Sequence, residues 1–172
     1  MRTPLAYHPN PGDDRLAQAE KYEMNIQIAD YLAICETKAR YCRSLDEKDW
    51  ERYADVFTED VVLDSRPSGG SQVQGRVDVL RFVRQSVEAA KTVHQVHLPE
   101  LTVVDAGTID VIWAMQDRVV WDEVKAARTG SPGLTGYGHY RERYRRCEDG
   151  VWRIATTTLT RLHIDFDRKA AS

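Results

Sequence analysis

Tyr41-Cys-Arg-Ser-Leu-Asp46-Glu-Lys-Asp-Trp50 is the stretch on which the fold turns. Before it, the apolar positions Ile26, Ala29, Leu32, Cys35, Ala39 and Cys42 recur at intervals of three and four, which predicts a helix with one buried stripe. After it, Asp49 can cap a second short helix through Trp50, Tyr53, Ala54 and Phe57. Asp46 then falls in the corner between the two helices, and Tyr41 stands beside the C-terminal end of the stripe.

Further out, Thr58-Glu-Asp60 turns into a short strand from Val61 to Asp64, and a Pro-Ser-Gly-Gly loop leads to Gly75 and a third helix from Val77 to about Ala90. The pattern then changes from helix to sheet. His94 to Val104, Ile109 to Trp121, Gly136 to Cys147 and Val151 to Ile164 are long runs rich in β-branched and aromatic residues. Asp149-Gly150 is a tight hairpin signal. The small and polar residues at 125–135 read either as a lid over one end of the sheet or as a solvated hairpin loop. Helices first and antiparallel strands afterwards predict an α+β domain, a curved sheet wrapped round helices.

The chain has 172 residues, a formal net charge of -3 and 42% hydrophobic residues, enough to build one core. Residues 1–22 carry prolines, a glycine and charge, and are expected to form an arm ahead of one domain over 23–172. No basic patch interleaved with aromatics points to nucleic acid. No run has the length of a signal peptide core or a membrane span, so a cytoplasmic protein is expected. Cys35 and Cys42 would lie about 10 Å apart along one helix, too far for a disulfide, and read as small core residues.

His94 opens a strand, where a histidine is either a hydrogen-bonded structural residue or a base. Paired with Asp46, its tautomer would be fixed and its imidazolium stabilised, whereas Asp46 alone could simply cap backbone N–H groups. Tyr41 could pack its ring in the core or donate a hydrogen bond to a substrate oxygen on which charge develops. Asp117 shares a strand face with Val111, Trp113, Met115, Val119 and Trp121, which places a carboxylate on an apolar side. It is either a further acid or the partner of an arginine on the adjacent strand. Tyr140, Glu142 and Tyr144 share a face on the next strand, while Arg141, Arg143 and Arg145 alternate on the other, a solvated or subunit-facing surface. Arg161 on the last strand could meet a substrate carboxylate or carbonyl. The substrate-contacting set expected from these strands and the second helix is Tyr140, Trp121, Trp113, Arg161 and Tyr53. His97 should point away from His94, and no other metal-ligand spacing, phosphate-binding glycine loop or Schiff-base lysine is evident, so neither metal nor cofactor is expected.

Four stretches, Ser44-Leu-Asp46-Glu-Lys-Asp-Trp50, Thr92-Val-His94, Asp149-Gly-Val-Trp152-Arg and Asp165-Phe-Asp-Arg168, resemble scytalone dehydratase in the same order and with similar gaps. The resemblance covers about residues 25–168 and places the chain beside bile acid 7α-dehydratase and the SnoaL-like polyketide cyclases of the nuclear transport factor 2-like superfamily. It implies a cone of curved, mixed or antiparallel sheet around three N-terminal helices, enclosing one apolar pocket. It also implies that Asp46 and His94 are catalytic, with Tyr41 matching a tyrosine of bile acid 7α-dehydratase. The second active-site histidine of scytalone dehydratase falls near Trp121, its two water-holding tyrosines near Leu45 and Ser65, and its serine and asparagine near Gly138 and Tyr140. The implied activity is a cofactor-independent lyase, a dehydratase acting on a hydrophobic cyclic or aromatic molecule. An isomerase or retro-aldol carbon–carbon lyase could use the same groups, and the fold also serves as a non-catalytic binding or assembly module. The resemblance further implies a homo-oligomer, a trimer built on the open sheet face with a dimer as runner-up.

Overall fold

The computed structural model describes residues 26–168, so the expected arm over residues 1–22 lies outside the described residues. Helix α1 (Ile28–Glu47) ends where Lys48 takes a left-handed conformation at φ 61°, and the Lys48 and Asp49 N–H groups return to the Leu45 and Ser44 carbonyls. That turn stops the helix and aims the next. Helix α2 (Trp50–Asp55) follows at once, and the Asp49 carboxylate caps it by accepting the Arg52 N–H, as expected. Asp46 therefore belongs to the last turn of α1 rather than to a corner outside it.

Phe57 opens strand β1 (Phe57–Asp64) instead of closing α2. A short β2 (Gln72–Gln74) pairs with β1 and leads through Gly75 into α3 (Arg76–Val87). Four long strands follow: β3 (Lys91–Asp105), β4 (Thr108–Val120), β5 (Gly133–Arg146) and β6 (Trp152–Phe166). Between β4 and β5 the polar stretch holds a fourth helix, α4 (Glu123–Thr129), capped by Asp122 and ended by Gly130 at φ 77°. The expectation of three helices and a loop missed it, because so short a helix has no periodicity to read.

The sheet order is β2-β1-β6-β5-β4-β3. β1 runs parallel to β6 and every other pair is antiparallel, so the sheet is mixed. Along β4 burial alternates residue by residue, with Ile109, Val111, Trp113, Met115, Asp117 and Val119 turned inward. The first four of these meet Ile34 and Tyr41 of α1, Phe57 and Val61 of β1 and Tyr144 and Ile154 of β5 and β6 in one core. The arginines of the outer face are exposed, and two of them are tied down, Arg143 to Asp110 and Arg145 to Asp60.

The buried stripe of α1 differs from the one its hydropathy predicts. Ala29, Leu32 and Ala39 face outward, with Leu32 53% exposed, whereas Ile34, Thr37, Lys38, Tyr41, Ser44 and Leu45 are buried. Two polar side chains on the inner face find partners there. The Thr37 hydroxyl reaches the Trp152 carbonyl at 3.0 Å, and the Lys38 ammonium reaches Glu142 at 2.7 Å. Polar groups so satisfied can be buried at little cost, and of the predicted stripe Cys42 is buried and Ile26 and Cys35 pack against the core while Ala29, Leu32 and Ala39 are left to solvent.

Candidate active site

Between α1, α3 and the concave side of the sheet lies a cavity of about 270 Å³. Larger depressions exist on the surface, one of about 810 Å³ beside Arg76, Arg145 and Arg153, but these arginines are each taken up by a neighbouring carboxylate. The cavity under the sheet is where unlike reactive groups converge. Its wall includes His94, Tyr41, Tyr140, Asp117 and Arg161.

His94 and Asp46 are brought together by strand β3 passing the end of α1. The His94 ring Nδ1 lies 2.6 Å from Asp46 Oδ1, and the His94 backbone N–H donates to Asp46 Oδ2 at 2.7 Å. The Thr92 hydroxyl donates to the same carboxylate at 2.8 Å and itself accepts from the Lys48 ammonium. Asp46 thus caps no helix; it fixes an imidazole. With Nδ1–H donating to a carboxylate, the neutral ring carries its lone pair on Nε2, which has no hydrogen-bond partner among the described residues. The His94 side chain is 8% exposed and lines the cavity. Burial pushes the Asp46 carboxyl up, but the hydrogen bonds from the His94 ring and backbone and from Thr92 outweigh it and hold the group below the ordinary aspartate value. Asp46 is therefore a fixed anion beside the ring.

Tyr41 projects from α1 into an aromatic cluster, its ring centre 5.1 Å from Tyr53 and 5.9 Å from both Phe57 and Tyr140. Burial drives the Tyr41 and Tyr140 phenols well above their ordinary values, so both are neutral donors. Tyr53 also borders the cavity, and its hydroxyl is buried without a well-formed hydrogen bond among the described residues.

Asp117 is paired with Arg161, not with a group on the strand beside it. β5 lies between them, and the guanidinium crosses it to grip both carboxylate oxygens, Nη2 to Oδ2 at 2.6 Å and Nη1 to Oδ1. The crossing point is Gly136, where a Cβ would overlap both the Arg161 guanidinium and Asp117 Oδ1. The arginine partner expected for Asp117 is thus two strands away rather than on the adjacent one, and both residues of the pair line the cavity.

Trp121 lies on the cavity wall just beyond β4, whereas Trp113 does not reach the cavity. Trp113 is sealed in the core, its indole N–H buried without a hydrogen-bond partner among the described residues. The strand face was read correctly, but the cavity occupies only the end of it near Asp117. Sequence reasoning also missed Val83 and Val87 of α3, Leu63, Leu159 and Lys125, which are among the other lining residues. Lys125 donates to the Ser86 carbonyl at 2.6 Å and so ties α4 to α3. The amphipathic spacing of α3 was the available signal for its valines; nothing local marked Lys125.

The probable cyclase FGR4 of Gibberella zeae is 24% identical over 135 residues, covering 73% of this chain and 87% of its own. Two solved structures share the fold. A scytalone dehydratase-like protein from Novosphingobium aromaticivorans superposes with a TM-score of 0.71 at 17% identity, over 84% of this chain and 92% of the other. A hexachlorocyclohexane dehydrochlorinase, LinA type 2, does so with a TM-score of 0.68 at 16% identity, over 92% and 96%. The model of the SnoaL-like domain matches residues 27–158, from the start of α1 to the middle of β6 and across every element that lines the cavity, and the chain belongs to the SnoaL-like family.

Proposed function

We propose that the protein is a cofactor-independent lyase that eliminates water from a hydrophobic cyclic or aromatic molecule. The observation that carries this reading is the His94–Asp46 pair, an imidazole on the cavity wall anchored at Nδ1 by a carboxylate 2.6 Å away. Nε2 takes a proton from a carbon next to a substrate carbonyl, and the C–H electrons move into the ring or chain as an enolate. Tyr41, a neutral phenol on the cavity wall, donates a hydrogen bond to the oxygen that gathers the charge. Asp46 stabilises the imidazolium while it lasts. The enolate then expels the hydroxyl from the neighbouring carbon; the imidazolium returns its proton to that oxygen, and water and a new C=C bond result. One nitrogen serves both steps, so the lost proton and hydroxyl leave from the same face.

Among the relatives are a cyclase, a scytalone dehydratase-like protein and a hexachlorocyclohexane dehydrochlorinase, and the last two are named for eliminations. The identity of the elimination rests on the site. The test is to identify by mass spectrometry the molecule that co-purifies in the cavity, then incubate its hydroxylated precursor with protein in deuterated water. Loss of one water by the wild type and not by His94→Ala supports the reading. Solvent deuterium incorporated without loss of water would replace it with an isomerase.

A further inference from the structure

The chemistry above leaves unused one ionisable group that touches the cavity wall from behind. Lys38 and Glu142 are both 0% exposed. A buried charge is costly unless paired, and here the pairing is one-sided. Lys38 Nζ donates to Glu142 Oε1 at 2.7 Å, and Glu142 accepts further hydrogen bonds from Thr157 at 3.0 Å and Tyr144 at 2.7 Å. Away from the carboxylate, the ammonium lies between two aromatic faces, 4.0 Å from the Tyr41 ring centre and 3.7 Å from the Tyr140 ring centre. Both tyrosines also line the cavity. A core needing only volume could hold apolar side chains at both positions without loss of stability. What apolar side chains cannot supply is positive charge against the π faces of two phenols, which holds the rings by their quadrupoles and favours negative charge on their oxygens.

We propose that Lys38, braced by Glu142, is a positioning residue that clamps Tyr41 and Tyr140 together and strengthens both phenols as hydrogen-bond donors to a substrate oxygen. The clamp depends on the lyase reading only for which oxygen is met. It can therefore be tested without substrate. In full-length protein, 3,5-difluorotyrosine placed at position 41 or at position 140 ionises well below tyrosine itself, which offsets the upward push of burial, and reports by fluorine NMR. Removing both charges with Lys38→Met and Glu142→Gln together should weaken ionisation of either ring about tenfold, the scale of a desolvated cation–π contact. Lys38→Arg, which keeps a cation in place, should stay within about threefold of the unsubstituted background.

Unchanged ionisation in the double variant, with a cooperative melting curve, would overturn the proposal. Should that variant not fold, the wild type decides by itself. Two rings flanking the ammonium should move its proton and nitrogen resonances upfield and slow its hydrogen exchange; resonances at the ordinary position of an exposed lysine would overturn the clamp. Failure of the protein to eliminate water, with these NMR results as expected, would remove the lyase reading and leave the clamp standing.

Discussion

Helix α1 carries two charged side chains inward, Lys38 and Asp46, eight residues or about 12 Å apart along its axis, and the two are treated differently. Lys38 is closed on every side by Glu142 and two aromatic rings. Asp46 is about half-buried, and the pair it makes with His94 leaves one ring nitrogen unused beside a cavity. A saturated pair can only hold structure or shape a field. A pair with a free valence can exchange protons with a ligand. The difference teaches that exposure of a few per cent, in the right place, separates a brace from a base.

The sharpest way to break the comparison is to unbalance the closed pair. Lys38→Ala leaves the Glu142 carboxylate buried and unpaired, and should cost about 3–5 kcal/mol of unfolding free energy, read from urea denaturation. Lys38→Met with Glu142→Gln should recover most of it. The open pair should behave in the opposite sense. His94→Ala is expected to lower turnover by at least about 100-fold while the same denaturation curve moves little, because the Asp46 carboxylate keeps the residue 94 backbone N–H and the Thr92 hydroxyl as donors. Retained turnover in a folded His94→Ala protein would end the assignment of His94 as base.

A third pair sits between these two in character. Asp117 and Arg161 meet across a gap in β5 that exists because residue 136 is glycine. Gly136→Ala must push one partner aside, and a loss of about 1–3 kcal/mol is expected from the overlap alone, with the melting temperature as the check. The smallest effect concerns acid. Asp46 ionises at lower pH in the folded protein than in the unfolded chain, so the folded state binds fewer protons between the two values. Its stabilising contribution is complete above the unfolded value of about 3.9 and is lost as pH falls through the folded one. Asp46→Asn should therefore flatten the acid limb of the stability curve, and urea midpoints at pH 7 and pH 3 should differ less in the variant than in the wild type.

Much of this architecture was legible because it depends on local signals. The four long strands lie within a few residues of their apolar and β-branched runs, Asp49 caps α2, and the turn at Asp149-Gly150 closes with the Gly150 N–H on the Cys147 carbonyl. The orientation of α1 was not legible. Lysine ranks among the residues least often buried, and its partner Glu142 is 104 residues away, so a stripe drawn by hydropathy keeps Cys42 but passes over Thr37 and Lys38 in favour of the exposed Leu32 and Ala39. The clue lay on β5, where Glu142 falls between Tyr140 and Tyr144 on the inward face and calls for a buried cation. In the site itself, Tyr41, His94, Asp117, Tyr140, Trp121, Arg161 and Tyr53 do border one cavity, with Asp46 behind His94. Which end of the strand face opens into that cavity, and hence the exclusion of Trp113, depends on packing that no single strand encodes.

The place of β6 in the sheet has a consequence for how the chain is made. Of the described strands β6 is made last, yet it is not an edge; it lies between β1 and β5 and supplies Thr157, Leu159 and Arg161 to the cavity. A nascent chain short of β6 can form the β3–β4–β5 meander and the β1–β2 ribbon, but the two have no strand to join them. Closure thus waits for a pairing between the first strand and the last, the kind of long-range contact that slows folding and exposes unpaired strands to neighbours in the meantime. Truncation within β6 would divide the sheet in two, and a chain halted there during translation would be a substrate for chaperones before it could be one for its own chemistry.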